Sequence, residues 1–296
     1  MKKILLLGAT GMLGSAVYDV LKDKYELILA VRNPDKIKAL ENAYGKSENA
    51  RVVEFDAEEI YKEYEAKKAQ PSQYLENFLK EVGDLDYAIN AAGVTIPFSM
   101  ENPAMTFFVN SALPHILANE MGEKLIHITT DCAFSGLEGY PYDENSIKSP
   151  TDIYGLSKSL GEPENCLTLR TSIIGLELSG KTGLLEWFLK QEADEIGGYS
   201  NHFWNGITTR EFGKVCDKII SEPEKYPKKG IYHIFSTTVS KYEMLLAFKE
   251  KFNKDIEIKE NAEPKLNRTL STTKELNAKL KMPSFEEMVK DIQAIS

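Results

Sequence analysis

The sequence predicts an α/β fold in which a Rossmann-type, doubly wound parallel sheet carries a smaller C-terminal substrate lobe. Short apolar runs alternate with helix-like segments up to about residue 175, a pattern typical of a wound parallel sheet. A glycine-rich turn, GATGMLG at residues 8–14, follows the first apolar run and precedes a helix-like stretch. We expect the Rossmann domain at residues 1–175 and mainly the lobe at 176–296, with residues 231–235 returning to the main sheet.

Seven apolar runs predict the strands. They are residues 3–7, 26–31, 51–55, 87–90, 124–129, 167–171 and 231–235. Small or polar residues follow three of these runs, at Gly8, at Asn90 to Gly93 and at Thr130 with Asp131. Because ligands of such sheets bind at the carboxyl ends of the strands, we expect the three clusters to surround one crevice.

Composition narrows the class of partner. The 296 residues carry a net charge of −9, which disfavours binding to nucleic acid or to an anionic membrane surface. No apolar run approaches the ~20 residues of a membrane span. Cys132, Cys166 and Cys216 are widely spaced and form no C-x-x-C pair, so we expect neither a metal site nor a disulfide. These features predict a cytoplasmic protein that acts on a small molecule, and a homodimer is left open.

The glycine turn predicts a dinucleotide site. Gly8 permits the turn, Gly11 lets the backbone approach a pyrophosphate, and Gly14 lets the helix pack on the strand. The amino end of the helix offers free N–H groups to phosphate. The spacing is G-x-x-G-x-x-G, so a turn that simply needs glycine is the alternative. The predicted contacts are Gly8, Thr10, Gly11, Met12, Leu13 and Gly14.

Arg32 favours NADP(H) over NAD(H), which remains possible. It follows the second strand, where an arginine suits the 2′-phosphate of NADP and an acidic residue would suit the ribose of NAD. A solvated surface arginine is the alternative interpretation. Asp56 and Ala57, after the third strand, are expected beside the adenine. The turn after the fourth strand is expected beside the ribose and nicotinamide, through Asn90, Ala91, Ala92 and Gly93.

Tyr154 and Lys158 are the candidate catalytic pair, because their i, i+4 spacing places them on one helix face. The same spacing occurs at Tyr18/Lys22 and Tyr64/Lys68, which we interpret as solvated helix faces. The third pair differs because it follows the fifth strand and Thr130. A phenol can protonate a ketone oxygen, a nearby ammonium is expected to lower the phenol pKa, and the Thr130 hydroxyl can orient the carbonyl. Lys158 is also expected to hold the nicotinamide ribose, and a purely structural trio is the alternative.

These motifs resemble the extended short-chain dehydrogenase/reductase superfamily over nearly the whole chain. ITTDCAFSG at residues 128–136, YGLSKSLGE at 154–162, GIYH at 230–233, SKYE at 240–243 and NRTL at 267–270 resemble its dTDP-4-dehydrorhamnose reductase-like branch. The resemblance implies reduction of a 4-keto group on a nucleotide-linked deoxysugar for a surface polysaccharide. It implies substrate contacts at Asp131, Cys132, Phe134, Trp204, Asn205 and Arg268. Cys132 replaces a common aromatic residue, and residues 204–209 also depart from the rhamnose enzymes.

Two other functions remain open. Cys132 lies two residues after Thr130, where GDP-fucose synthase-like enzymes place an epimerisation cysteine, and His202 is the histidine that could act from the other face. A small buried Cys132 and a surface His202 are the alternatives. A non-catalytic, NAD(P)-binding regulatory protein is the second possibility. The other histidines, His115, His127 and His233, are expected to be packing residues, and Glu144 a loop residue near the site.

Overall fold

A seven-stranded parallel sheet forms the centre of the computed structural model, which describes residues 1–67 and 72–293. The strands are β1 (Lys3–Leu7), β2 (Glu26–Val31), β3 (Ala50–Glu54), β4 (Tyr87–Asn90), β5 (Leu125–Thr130), β6 (Leu167–Thr171), β7 (Ile173–Ile174), β8 (Glu195–Tyr199), β9 (His202–Trp204), β10 (Ile207–Thr208), β11 (Gly230–His233), β12 (Val239–Ser240), β13 (Glu257–Asn261) and β14 (Leu266–Asn267). The order of the main sheet is β11-β6-β5-β4-β1-β2-β3, with every pair parallel. This is the doubly wound order, so the predicted fold class is confirmed.

Helices cover both faces of this sheet and build the C-terminal part. They are α1 (Met12–Leu21), α2 (Ile37–Tyr44), α3 (Ala57–Lys67), α4 (Gln73–Val82), α5 (Ile96–Ser99), α6 (Pro103–Phe107), α7 (Leu113–Met121), α8 (Ile153–Leu160), α9 (Leu184–Leu189), α10 (Thr209–Ser221), α11 (Lys241–Lys251), α12 (Leu276–Leu280) and α13 (Phe285–Lys290). A π-helical segment, Phe108–Ala112, precedes α7. No helix in the described ranges is both long enough and apolar enough to span a bilayer.

Side-chain alternation in β1 shows how the two core layers arise. Ile4 and Leu6 pack with α1, α2 and α10, whereas Leu5 and Leu7 pack with α3, α4 and α7. Successive side chains of a strand point to opposite faces, so a strand buried on both sides must be apolar throughout. All seven predicted strands occur in this sheet. Four match at both ends, and 51–55, 124–129 and 231–235 differ by one or two residues.

Two segments beyond residue 175 belong to the Rossmann layers: β11, whose return to the main sheet was expected, and α10, which was not expected there. β11 pairs in parallel with β6 at the edge of the main sheet. α10 packs on α1, and its Phe212 and Val215 share a core cluster with Val17 of α1. A Cβ at Gly213 would lie 2.9 Å from a methyl group of Val20, which shows how closely the two helices approach.

The remaining C-terminal segments form a lobe with its own core. β9 lies between β12 and β14, β8 pairs with β13, and α9, α11 and α13 pack around them. Phe188, Phe248 and Phe285 form its aromatic centre. Arg268 follows β14 and donates a hydrogen bond to Phe134 O after β5. The lobe therefore contacts the carboxyl end of the main sheet.

Candidate active site

The glycine turn is as tight as its sequence predicts. Gly8 adopts φ +77°, and a Cβ there would lie 2.9 Å from Ala92 N. A Cβ at Gly14 would lie 2.1 Å from Gly8 O, so only glycine permits this contact between α1 and the turn. No side chain caps α1, which begins after Gly11, and its first N–H groups remain available to an anion. The turn after β4 thus directly adjoins the glycine turn.

That second turn is held by buried side chains. Asn90 Oδ1 accepts a hydrogen bond from Ala92 N at 3.1 Å, and Asn90 Nδ2 donates to His127 Nδ1 at 3.2 Å. Asn110, which the sequence analysis missed, bonds Val94 N and Val94 O, each at 2.9 Å, from the π-helical segment. The Asn90 side chain therefore forms its hydrogen bonds within the protein. Only the backbone of this turn remains available for the expected contact with a cofactor.

Arg32 lies exposed directly after β2, and it makes no hydrogen bond or ion pair with any residue that the structure describes. Asp56 accepts a hydrogen bond from Glu58 N at 3.0 Å and so caps α3, which begins at Ala57. The Leu13 side chain is buried in the core, so only its backbone can face a ligand. Thr10 and Met12 flank Gly11 at the accessible side of the turn.

Thr130 and Tyr154 are brought together by the packing of α8 against the turn that follows β5. Thr130 Oγ1 accepts a hydrogen bond from Cys132 N at 3.1 Å, and Asp152 caps α8 by accepting from Gly155 N at 2.7 Å. A Cβ at Gly155 would lie 2.3 Å from Cys132 O, so the helix meets the turn at backbone distance. The Tyr154 side chain consequently lies close enough to Thr130 to interact with it, while the Thr130 hydroxyl donates to Asp131 Oδ1 at 3.2 Å.

Burial raises the pKa of Tyr154 above its ordinary value, and the Thr130 side chain opposes this rise. The lowering of this pKa expected from Lys158 stays a prediction. Lys158 Nζ donates instead to Ile128 O at 3.0 Å, and a Cβ at Gly93 would lie 3.7 Å from it. Burial lowers the pKa of Lys158 to about 8. The ammonium thus lies beside the turn after β4.

The lobe contributes Arg268, which is fixed to the segment after β5. Its Nε donates to Phe134 O at 3.0 Å, one Nη donates to Cys132 Sγ at 3.4 Å, and the other donates to Thr151 Oγ1 at 3.3 Å. These bonds set the guanidinium beside the catalytic candidates. Among described residues, no group of three or more His, Cys, Asp or Glu side chains could hold a metal ion.

Lys241 is a second cation near Asp131 and Cys132, and it was not predicted from the sequence. The ammonium lies 5.8 Å from the centre of the Trp204 ring and interacts electrostatically with Asp131, Cys132 and Arg268. Burial lowers the pKa of Lys241 to about 8, and Asp131 opposes that fall. Burial also raises the pKa of Asp131, and both cations oppose that rise. One feature of the sequence could have indicated this residue: a lysine stands at the first position of a helix, where a cation is unfavourable.

Comparison with known proteins decides the family. A family model described as the RmlD substrate-binding domain matches residues 1–292. The chain belongs to the RmlD substrate-binding domain family. This confirms the resemblance inferred from the sequence.

Individual relatives of this RmlD-family chain are distant. The spore coat polysaccharide biosynthesis protein SpsK of Bacillus subtilis is 29% identical over 177 residues, covering 56% of this chain but only 60% of SpsK. Methionine adenosyltransferase 2 subunit beta of Xenopus tropicalis is 24% identical over 268 residues, covering 85% of this chain and 72% of that protein.

Two solved structures of similar fold are named as dTDP-4-dehydrorhamnose reductases. A hypothetical dTDP-4-dehydrorhamnose reductase from Sulfolobus tokodaii has a TM-score of 0.66 and 25% identity, covering 92% of this chain and 91% of that one. The dTDP-4-dehydrorhamnose reductase of Bacillus anthracis, solved in complex with NADP, has a TM-score of 0.68 and 18% identity, covering 98% and 97%.

Three residues that were expected to contact substrate have side chains packed inside this RmlD-family member. Phe134 is fully buried and stacks on Tyr142, with ring centres 4.3 Å apart. Trp204 is buried edge-on against Phe285. Asn205 accepts from Leu270 N at 2.9 Å and donates to Leu270 O at 2.8 Å. The structure therefore corrects these expectations: all three side chains position the segments that carry Cys132, Lys241 and Arg268.

The pKa values of Cys132 and His202, the two residues considered for epimerisation, are both shifted from their ordinary values. Burial raises the pKa of Cys132 to about 12, so its thiol is neutral at pH 7. Burial, Lys241 and Arg268 lower the pKa of His202 to about 4, so its imidazole is neutral as well. Neither side chain is an exposed surface group, because Cys132 and His202 are both partly buried.

The other histidines and Glu144 have structural surroundings. His127 and His233 are buried, as expected, but His115 is exposed, because it lies on the outer face of α7 and bonds Leu160 O. Glu144 accepts hydrogen bonds from His233 N and Thr273 N, both at 3.0 Å, and so anchors the segment after Arg268. Of the two other Tyr-x-x-x-Lys pairs, Tyr18 is buried, contrary to expectation, Lys22 pairs with Asp19, and Lys68 lies outside the described residues.

Proposed function

We propose that this protein is an NADP(H)-dependent reductase of a 4-keto group on a nucleotide-linked deoxysugar, acting in the synthesis of a surface polysaccharide. The observation that carries the proposal is the backbone contact of α8 with the turn after β5, which brings Thr130 and Tyr154 together at the carboxyl end of the sheet. Lys158 lies one helical turn further along the same face, beside the turn after β4. The polysaccharide role is supported by the name of the SpsK relative.

The chemistry follows from these side chains. Reduction needs a hydride at the carbonyl carbon and a proton at the carbonyl oxygen. Thr130 and Tyr154 hydrogen-bond the carbonyl oxygen, and the Tyr154 hydroxyl gives it a proton as negative charge develops. Because the pKa of Tyr154 is raised, the phenol holds that proton at neutral pH, which is the state that reduction requires. Lys158 is placed to stabilise the phenolate that remains.

NADPH supplies the hydride when it is bound, and the residues at the glycine turn fit it. The uncapped start of α1 and the close contact of Gly8 with Ala92 form a cradle in which a side chain would collide with backbone. Exposed Arg32 is free to pair with a 2′-phosphate. We expect Asp56 and Ala57 to lie beside the adenine and Lys158 to hold the nicotinamide ribose.

A regulatory role is the second candidate. It is favoured by the similarity to a protein named as a subunit of an adenosyltransferase, which covers 85% of this chain. Such a protein need not keep a proton donor, whereas Thr130, Tyr154 and Lys158 are all present here. The deciding experiment measures NADPH oxidation with a panel of 4-keto nucleotide sugars. Turnover that depends on Tyr154 supports the reductase, and absence of turnover with every member of the panel favours the regulatory protein.

A further inference from the structure

Lys241 contacts the Trp204 ring and interacts electrostatically with Asp131, but no hydrogen bond in the described ranges holds its ammonium. Its ammonium lies over the Trp204 ring, and it forms no hydrogen bond or ion pair with any residue in the described ranges. The side chain is partly buried, which costs free energy for a charged group. A lysine held without a hydrogen-bond acceptor at the mouth of a site is typical of a group that awaits one from a ligand.

The three-stranded sheet of the lobe places Lys241 and Arg268 on opposite sides of β9. Ser240, at the end of β12, is in register with Phe203 of β9, and Asn267, at the end of β14, is in register with the same residue from the other side. Because β12 is antiparallel and β14 is parallel to β9, the chain continues from Ser240 toward the His202 end of β9 and from Asn267 toward the Trp204 end. Lys241 and Arg268 both interact electrostatically with Asp131, so this carboxyl group links the two cations.

The place of Lys241 in α11 is locally unfavourable. It is the first residue of the helix, where the partial positive charge of the helix amino end repels a cation. Ser240 and Glu243 form a complete capping box, which gives the helix a stable start without needing the lysine. A residue that breaks a local rule without a structural gain is a candidate for a functional role.

The two cations of the site differ in how their donors are used. Lys241 and Arg268 both interact with one carboxyl group, that of Asp131. Arg268 already donates to three acceptors of the protein, whereas Lys241 donates to none that the structure describes. Lys241 is therefore the cation with its ammonium donors available to an anionic ligand.

We propose that Lys241 is a substrate-binding and specificity-determining residue that takes an anionic group of the nucleotide-linked sugar, with Arg268 reinforcing the positive field. The inference rests on the proposed function for the identity of the ligand. The anion has two possible sources, which are the diphosphate of the nucleotide and a carboxylate on the sugar. Both present oxygen atoms that accept a charge-assisted hydrogen bond from an ammonium.

Binding is expected to depend on pH in a defined direction. Lys241 carries its charge below about pH 8 and loses it above, so anion affinity should fall as the pH rises from 7 to 9. Asp131, Cys132, His202 and Arg268 are the titratable or charged groups that face Lys241; the pKa values of Cys132 and His202 lie outside this window. Lys241→Arg should keep the affinity and abolish the pH dependence, because arginine stays charged.

The test is calorimetric titration of the full chain with inorganic pyrophosphate, dTDP, UDP-glucose and UDP-glucuronate. Lys241→Met should weaken binding by about tenfold or more, the loss expected for one charge-assisted hydrogen bond. Weaker pyrophosphate and dTDP binding identifies the diphosphate as the source. Loss confined to UDP-glucuronate identifies the carboxylate. NADPH titration verifies that each variant is folded, and Lys249→Met, on the same helix, is the matched control.

Equal affinities of wild type and Lys241→Met for all four probes would overturn the inference, even if the enzyme still reduces a 4-keto sugar. Conversely, probe binding that depends on Lys241 without any NADPH oxidation would leave the inference standing and refute the proposed reductase. Loss of affinity in Lys241→Arg equal to that in Lys241→Met would also overturn it, because a charge-dependent contact survives that exchange.

Discussion

The side chains of Thr130 and Tyr154 interact across the junction between β5 and α8, and backbone contact at Gly155 holds that junction closed. The strand end and the helix start are each fixed by a side-chain cap, from Thr130 and Asp152. The two side chains are therefore held close together before any substrate arrives, and the Thr130 hydroxyl donates to Asp131 Oδ1 at 3.2 Å. Hydroxyl groups fixed in this way favour stabilisation of a developing oxyanion.

Replacing Tyr154 with Phe should lower turnover by about 10²-fold or more, the usual scale for loss of a general acid. Only one hydroxyl is removed, so the melting temperature and NADPH affinity should stay close to those of the wild type. Steady-state kinetics with the true substrate, alongside NADPH titration, measures both. Near-wild-type turnover would contradict the assigned chemistry and support the regulatory alternative.

Lys158 should make NADPH affinity fall as the pH rises through about 8, since its lowered pKa removes the ammonium above that value. NADPH affinity changes in this direction because lysine is a base, whose charged form exists below the pKa and is lost above it. Lys158→Met should bind NADPH weakly at every pH and show no such fall, and its turnover should drop as well. An identical pH profile in both proteins would exclude Lys158 as the cause.

Arg32→Ala should weaken NADPH binding far more than NADH binding, because only NADPH carries a 2′-phosphate. A charge-assisted contact of this kind contributes about 1.5–3 kcal/mol, or roughly 10- to 100-fold in affinity. Titration of both cofactors against both proteins provides the comparison. Equal losses for the two cofactors would disprove the assignment of Arg32.

Gly14→Ala should disrupt the dinucleotide turn, because the new Cβ would be placed 2.1 Å from Gly8 O. Overpacking of this kind costs about 1–3 kcal/mol, and here the strain falls on backbone that cannot rotate away. Gly197→Ala is the control, since its Cβ would meet nothing within 4 Å. Thermal melts should separate the two variants, and NADPH affinity should fall only in Gly14→Ala.

Cys132→Ser distinguishes a plain reductase from an epimerase–reductase. Its thiol is neutral and accepts a hydrogen bond from Arg268, so a reductase should tolerate the serine hydroxyl in its place. An epimerase should instead lose incorporation of solvent deuterium at the sugar carbon while it keeps hydride transfer. Mass spectrometry of the product in D₂O resolves the two cases.

The sequence predicted the main sheet almost residue by residue, because a strand buried on both faces must be a short apolar run with turn residues at its end. It also predicts that Thr130, Tyr154, Lys158 and Arg268 surround one crevice, and this stays a prediction. It could not show that Phe134 and Trp204 are buried, since an aromatic residue next to a motif looks the same whether it faces core or ligand. The direction of Lys241 depends on register in a small sheet whose strands are only two or three residues long.

β11 joins the main sheet and α10 packs on α1, and these two contacts determine where the chain can be cut into fragments. A polypeptide ending at residue 175 would leave the apolar face of α1 uncovered where Phe212 and Val215 now pack, and β6 would become an open edge. Such a fragment would be prone to aggregate through that edge. Exchange of the C-terminal lobe between relatives therefore requires transplanting separate segments on either side of residues 209–233, while residues 209–233 stay with the recipient.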